Sequence, residues 1–171
     1  MEIRAGNPYP STALSNFAPH KFIFRGVPCS SMEGLLQSLK YENPDMQRHI
    51  CTLVGYTAKK TGKNKNWWRT QTLYWDGKPI KRDSTEYQEL LDEAYECLFY
   101  QNEKARKALL ATGDATLKHS IGRHKINETV LTRQEFCSRL MKIRRDLQTA
   151  DFFETNDEDR TKTSNSDTKR S

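Results

Sequence analysis

The sequence predicts an α+β domain, mostly helical, with one or two small β-hairpins. Three observations carry this. Asp76-Gly77 lies between two apolar arms in TLYWDGKPIK, residues 72–81, and Asp-Gly in that setting signals a tight hairpin. Between Asp83 and Tyr100, the residues Tyr87, Leu90, Leu91, Ala94 and Leu98 recur on one helical face. A second such stripe, Phe136, Leu140, Ile143 and Leu147, follows a Thr132-x-x-Glu135 helix start.

The remaining elements follow in chain order. KFIFRGVPC, residues 21–29, reads as two short strands about Arg25-Gly26. SSMEGLLQSLKY, residues 30–41, reads as a helix whose buried stripe is Leu35, Leu36 and Leu39. A helix is also expected over Asp45 to Thr61. The 83–100 helix opens on Asp83 and Glu86 as a capping pair. Asn102 to Thr112 forms another, stopped at Gly113. From Thr155 onward the chain has no apolar residue, so it buries too little to offset its ordering entropy, and disorder is expected. The expected organisation is a folded domain over 1–153 and a disordered polar tail over 154–171.

A chain of 171 residues suits one domain. That size buries roughly two thirds of its unfolded surface, enough to fold without a metal or disulfide. Lys and Arg number 28 against 22 acids; six acids and four bases fall in 151–171, so residues 1–150 carry 24 bases, 16 acids and a net charge of +8. A basic domain suits a polyanionic partner such as nucleic acid or a nucleotide. Cys29, Cys51, Cys97 and Cys137 show no zinc-type spacing, and no apolar run reaches the roughly 20 residues that cross a bilayer. With no signal-peptide pattern at the start, an intracellular protein, cytoplasmic or nuclear, with no membrane partner is expected. His20, His49, His119 and His124 are likewise scattered, so no metal and no cofactor are expected. Nothing in the sequence speaks to oligomeric state.

The chemistry concentrates in the 30–41 helix. Glu33, Gln37 and Lys40 are spaced i, i+4 and i+7, which stacks a carboxylate, an amide and an ammonium on one face. That face either lines a polar pocket or meets water. Ser30-x-x-Glu33 also matches a capping box, although Ser31 is an alternative cap. Lys40 is equally readable as a solvated lysine at a helix end. Farther along, KKTGKNKNWWR, residues 59–69, interleaves Lys59, Lys60, Lys63, Lys65 and Arg69 with two tryptophans. This composition suits contact with single-stranded nucleic acid, or a solvated loop anchored by its tryptophans.

The segment ALSNFAPHKFIFRGVPCSSMEGLLQSLKY resembles the opening of the NADAR family, also called YbiA-like. That family has a Ser-Asn-Phe motif, a short hairpin and an S-x-E-x-x-x-Q-x-x-K helix. Here these are Ser15-Asn16-Phe17, then Ser31, Glu33, Gln37 and Lys40. ALLATGDATLKHSIG (108–122) and FCSRLMKIR (136–144) extend the resemblance over roughly residues 3–147. It implies an N-glycosidase. Some members resemble enzymes that cleave phosphorylated riboflavin-pathway intermediates. Others remove ADP-ribose from guanine in nucleic acid. This chain departs from the riboflavin-type members: Asp83 stands near the place of their Trp before the long helix, and SIGRHKINETVLT lacks their Asp-x-x-Trp-Gly segment. The resemblance therefore leans toward the ADP-ribosyl-guanine branch. The expected substrate is ADP-ribosylated guanine in DNA or RNA, or free ADP-ribosyl-guanosine, with ADP-ribose as product.

Cleaving an N-glycosidic bond develops positive charge on the anomeric carbon, and Glu33, the one acid of the matched motif, is the candidate to stabilise that charge or activate water. Lys40 either holds a phosphate or ribose hydroxyl as a cation, or attacks the ring-opened sugar as an amine. The expected substrate-binding set adds Gln37, with Asn16 and Phe17 at the sugar and Asp83 by its position. Arg4 meets a phosphate or stays a surface arginine. His119-Ser120-Ile121-Gly122 cradles a diphosphate or forms a plain turn. Trp75 stacks on a base from the hairpin tip or packs in the core. Two rival readings remain: an ADP-ribose-binding module without catalysis, and a nucleic-acid binder without a nucleotide pocket.

Overall fold

The computed structural model describes residues 1–63 and 65–166, with 151–166 as backbone alone. Both hairpins form. β1 (Phe22–Phe24) pairs antiparallel with β2 (Val27–Cys29), and β3 (Thr72–Trp75) with β4 (Lys78–Lys81). Each turns through two left-handed residues, Arg25-Gly26 (φ 48° and 80°) and Asp76-Gly77 (φ 50° and 78°). Two successive positive φ angles define the mirror-image turn that matches strand twist, which is why glycine stands second in both.

The helices are α1 (Ser11–Leu14), α2 (Met32–Ser38), α3 (Pro44–Cys51), α4 (Gly55–Gly62), α5 (Trp67–Thr70), α6 (Thr85–Gln101), α7 (Glu103–Ala111) and α8 (Arg133–Ser166). Among the described residues they make a mostly helical α+β domain with two small antiparallel hairpins. α6 is the central element. It buries Tyr87, Leu90, Leu91, Ala94, Tyr95, Leu98 and Phe99 and packs against β1, α2, α7 and α8. The α8 stripe Phe136, Leu140, Ile143 and Leu147 is buried as expected.

Several boundaries differ from expectation. The helix expected over Asp45 to Thr61 is two, α3 and α4, because Val54 is extended and Gly55 is left-handed (φ 57°) against Phe17. Ser84, not Asp83, caps α6: its Oγ accepts from the Tyr87 N–H at 3.1 Å. α2 ends at Ser38, and its last turn tightens through Lys40 N–H to Gln37 O (3.2 Å) and Tyr41 N–H to Ser38 O (3.1 Å). α8 continues as backbone helix to Ser166, through much of the stretch where composition predicts disorder. Residues 167–171 of the expected tail lie outside the described residues.

Two contacts fix α2, the helix that carries Glu33. A Cβ on Gly34 would stand 2.6 Å from Leu53 O and 2.9 Å from Ile50 O, so only glycine lets α2 approach α3 this closely. Gln47, buried on α3, donates to Ser38 O (3.0 Å) and Tyr74 O (2.8 Å) and accepts from the Asp76 N–H (2.9 Å). One side chain thus ties the end of α2 to the second hairpin.

Candidate active site

Ser31, not Ser30, caps α2. Its Oγ accepts from the Gly34 N–H at 3.0 Å and donates to Leu53 O at 2.9 Å. Capping therefore makes no demand on the Glu33 side chain. Its backbone N–H, one of the donors a helix start leaves unpaired, goes to Asn16 O at 2.9 Å. The carboxylate is buried, 9% exposed, and accepts from Gln37 Nε2 at 2.9 Å. Burial pushes the Glu33 pKa above the ordinary carboxylate value; the Gln37 bond and the charges of Lys59, Lys40 and His119 oppose that push without cancelling it. A raised pKa keeps the protonated form of Glu33 populated to higher pH than that of a surface glutamate.

Lys40 is half-buried, its Nζ donating to Gly62 O at 3.2 Å. Burial lowers its pKa; Glu33 pulls it up and Lys59 pushes it down. Asn16 is fixed from the other side, its Oδ1 accepting from the Tyr95 hydroxyl at 2.8 Å. The amide N–H groups of Asn16 bond to none of the described residues. Phe17 is half-buried, with Lys59 Nζ 5.9 Å from its ring centroid.

Gln37 and Lys40 open onto a cleft of about 800 Å³ between α4, α5 and the 123–130 segment. Its lining includes Lys40, Lys59, Lys60, Lys63, Lys65 and Arg123, with one acid, Glu128. Gln37 Oε1 is buried beneath Gly62 and has no hydrogen-bond partner among the described residues. Such an acceptor costs free energy until a donor reaches it.

Gly62 lines the cleft. A Cβ there would lie 1.8 Å from Gln37 Oε1 and 3.2 Å from Lys40 Cδ. Gly62→Ala is therefore expected to turn Gln37 off Glu33 and displace Lys40. Overpacking of this kind costs about 1–3 kcal/mol, and misplacement by an ångström costs about 10²-fold in rate. Thermal unfolding alongside single-turnover rates checks this: a rate loss much larger than the stability loss is expected.

The structure gathers Glu33, Gln37, Lys40, Asn16 and Phe17, and brings His119 close enough for its charge to act on Glu33. It does not gather the rest. Trp75 is buried, packed edge-on to Phe24 with centroids 4.8 Å apart, so it offers no free face to a base. The hairpin is tied to α3 by Gln47, whose Oε1 accepts from the Asp76 N–H. His119 is held by Ile3 O (2.8 Å from Nδ1) and packs edge-on to Phe136. Gly122 is a packing position, where a Cβ would meet the His119 ring at 2.7 Å. The Ser120 amide already serves a carboxylate, Glu2 Oε2, at 3.2 Å, which disfavours a diphosphate there by like charge. Arg4 and Asp83 are exposed and do not line the cleft.

Tyr95, Arg123 and the 127–130 wall escape sequence reasoning. Tyr95 lies outside the Tyr87, Leu90, Leu91, Ala94 and Leu98 stripe read from the sequence, and nothing local marks it or the wall. Among the described residues no group of three His, Cys, Asp or Glu is placed to hold a metal, and the four cysteines are unpaired. No described helix is long and apolar enough to cross a membrane.

A small α+β domain with a buried carboxylate beside a cationic cleft is thus the class defined by fold and site. The fold is similar to that of the E. coli protein YbiA, whose NMR structure superposes with a TM-score of 0.60 at 17% identity, over 89% of this chain and 86% of that one. The family description "Bacteriophage protein GP30.3" matches residues 8–145, and the chain belongs to that family. A protein of Enterobacteria phage T4, described as an uncharacterized 17.1 kDa protein in the Gp30-rIII intergenic region, is 40% identical over 152 residues, 86% of this chain and 98% of the relative.

Proposed function

We propose that the protein is an N-glycosidase that hydrolyses the bond between ADP-ribose and guanine, in nucleic acid or in guanosine, with Glu33 as the catalytic carboxylate. One observation carries the reading: a carboxylate freed from capping, buried and held by Gln37, adjoins a cleft lined by six cations. The NADAR-type motif and the YbiA-like fold support the same chemistry. Cations suit a diphosphate, and about 800 Å³ lies within the range of nucleotide-sized pockets.

Glu33 stabilises the cation that grows on the anomeric carbon as the sugar ring opens, and moves protons between the ring oxygen, the attacking amine and the departing guanine nitrogen. Burial lowers the Lys40 pKa, so more of it is free amine at a given pH than for a solvated lysine, and the amine route needs that form. Glu33 gives a proton to the ring oxygen as the sugar opens to a C1 iminium with guanine still attached, and the Lys40 amine adds at C1. Glu33 takes a proton from the added amine and returns it to the guanine nitrogen, which leaves; the lysine remains as a protonated imine, and water restores the amine, with its proton, and the free sugar aldehyde.

Borohydride added during turnover of ADP-ribosyl-guanosine is expected to leave a reduced sugar adduct on Lys40, found by peptide mass spectrometry. Lys40→Arg should lose both adduct and activity. Full activity in Lys40→Arg with no adduct in wild type would return Lys40 to a cationic role. Absence of ADP-ribose release altogether would remove the glycosidase reading and favour a binding module.

A further inference from the structure

Among the described residues the Glu33 side chain has one hydrogen-bond partner, which serves one of its two oxygens: Gln37 Nε2 donates to Oε1 at 2.9 Å. Oε2 accepts from no described residue, and it is not among the atoms sealed from solvent without a partner, so it stays open. Four other titratable groups face Glu33 from the elements around it. They are Lys40 at the end of α2, Lys59 on α4, Tyr95 on α6 and His119 between α7 and α8. These act through space, and among the described residues Gln37 alone distinguishes the two oxygens. The amide holds its orientation at a cost. Its own Oε1 lies under Gly62 with no partner, and a buried acceptor without a donor raises the energy of the folded chain. Turning the amide over would set that oxygen against an ionised Glu33, acceptor against acceptor, so the carboxylate keeps Nε2 facing it.

We infer that Gln37 is a positioning residue that reserves Glu33 Oε1 and leaves Oε2 as the oxygen that carries protons. The inference rests on the glycosidase reading for the reaction, and adds which atom performs it. Oε2 gives its proton to the ring oxygen, takes one from the added Lys40 amine, and returns it to the guanine nitrogen. Oε1 is an acceptor throughout: a carboxylate oxygen when Glu33 is ionised, and the C=O oxygen when Oε2 is protonated. The Gln37 bond therefore survives both states, and the carboxyl keeps one position between the steps. This takes Gln37 out of the expected substrate-binding set, because its Nε2 is engaged and its Oε1 is covered.

The test titrates Glu33 in the full chain by carboxyl-carbon NMR, in wild type, Gln37→Met and Gln37→Leu. Removing a donor from the ionised form should move the Glu33 midpoint to higher pH in both variants. In wild type, the side-chain amide signal of Gln37 should shift with the Glu33 midpoint; in Glu33→Gln it should not titrate over that range. Single-turnover release of ADP-ribose from ADP-ribosyl-guanosine should fall about 10²-fold in Gln37→Met, and the limb of the pH–rate profile set by Glu33 should move up with its midpoint. Added to Glu33→Gln, the Gln37→Met change should slow release no further, because Gln37 acts only through Glu33. An unchanged midpoint, a wild-type Gln37 signal blind to Glu33, or a further loss in the double change overturns the positioning role. The titrations need no substrate. A raised midpoint with no release by wild type therefore overturns the glycosidase and leaves the hold of Gln37 on Glu33 standing.

Discussion

Glu33→Gln is expected to lower ADP-ribose release by about 10²–10⁴-fold, the usual contribution of a positioned acid–base group, while raising thermal stability at neutral pH. Both effects have one cause. Burial raises the Glu33 pKa in the folded chain. An acid whose folded pKa exceeds its unfolded value binds protons more tightly in the native state. Below the unfolded value, about 4.3, both states are protonated and the site costs nothing. As pH rises from there through the raised native value, ionisation in the unfolded chain pulls stability down. The substituted glutamine would have no charge to bury, and its carbonyl would still accept from Gln37 Nε2. Wild-type activity should have an acid limb above the ordinary carboxylate range, and the stability gain of Glu33→Gln should vanish toward about pH 4, near the unfolded pKa. Melting curves and pH–rate profiles of the two proteins check both parts. Equal melting temperatures from about pH 4 to about pH 8 would mean that the carboxylate is not desolvated.

Arg82→Ala carries the largest expected cost in stability. Arg82 is fully buried, and its guanidinium grips Glu135 through two bonds of 3.1 and 2.5 Å while Nε donates to Thr129 O at 2.8 Å. Glu135 also takes the Thr132 N–H (2.8 Å) and Gln88 Nε2 (2.7 Å). Burial alone would raise the Glu135 pKa, but these bonds and the Arg82 charge outweigh it and hold it below the ordinary value. Removing the arginine leaves a buried carboxylate short of its partner, which costs about 3–5 kcal/mol, or roughly 10 °C in melting temperature. The double change Arg82→Met with Glu135→Gln should recover part of that loss, since it removes both charges. The clamp has its own pH signature. Its stabilisation is present above the unfolded pKa and lost as pH falls through the depressed native value, the opposite of Glu33. Thr129 and Val130 wall the cleft, and Tyr87 donates its hydroxyl to Val130 O. Loosening the clamp should therefore raise KM for the nucleotide more than it lowers kcat.

The parts legible in the sequence are those written in local chemistry. Asp76-Gly77 and Arg25-Gly26 announce their turns, and the stripes of α6 and α8 announce their buried faces. Thr132 and Glu135 form the capping box they spell, with the Glu135 N–H donating to Thr132 Oγ1 at 3.1 Å. The Glu33, Gln37, Lys40 row is likewise local and is assembled as spaced, with the added bond between Glu33 and Gln37. What stays hidden depends on distant partners. Whether Trp75 faces solvent or the core depends on Phe24, 51 positions away in the chain. The Ser120 amide is closed off by Glu2 from the other end of the domain. Arg82 reads as a surface residue after a strand, because its carboxylate lies 53 positions on. The break at Gly55 arises from packing on Phe17, and no helix-propensity argument contains that contact.

The most direct measurement is single-turnover release of ADP-ribose from an oligonucleotide ADP-ribosylated on guanine, by wild type and Glu33→Gln at matched, folded concentrations. Release by wild type, with the strand left intact and the Glu33→Gln rate at least about 10²-fold lower, is the expected result. Equal release by both proteins, or none by wild type, would contradict the assignment of Glu33 as the catalytic carboxylate of a glycosidase.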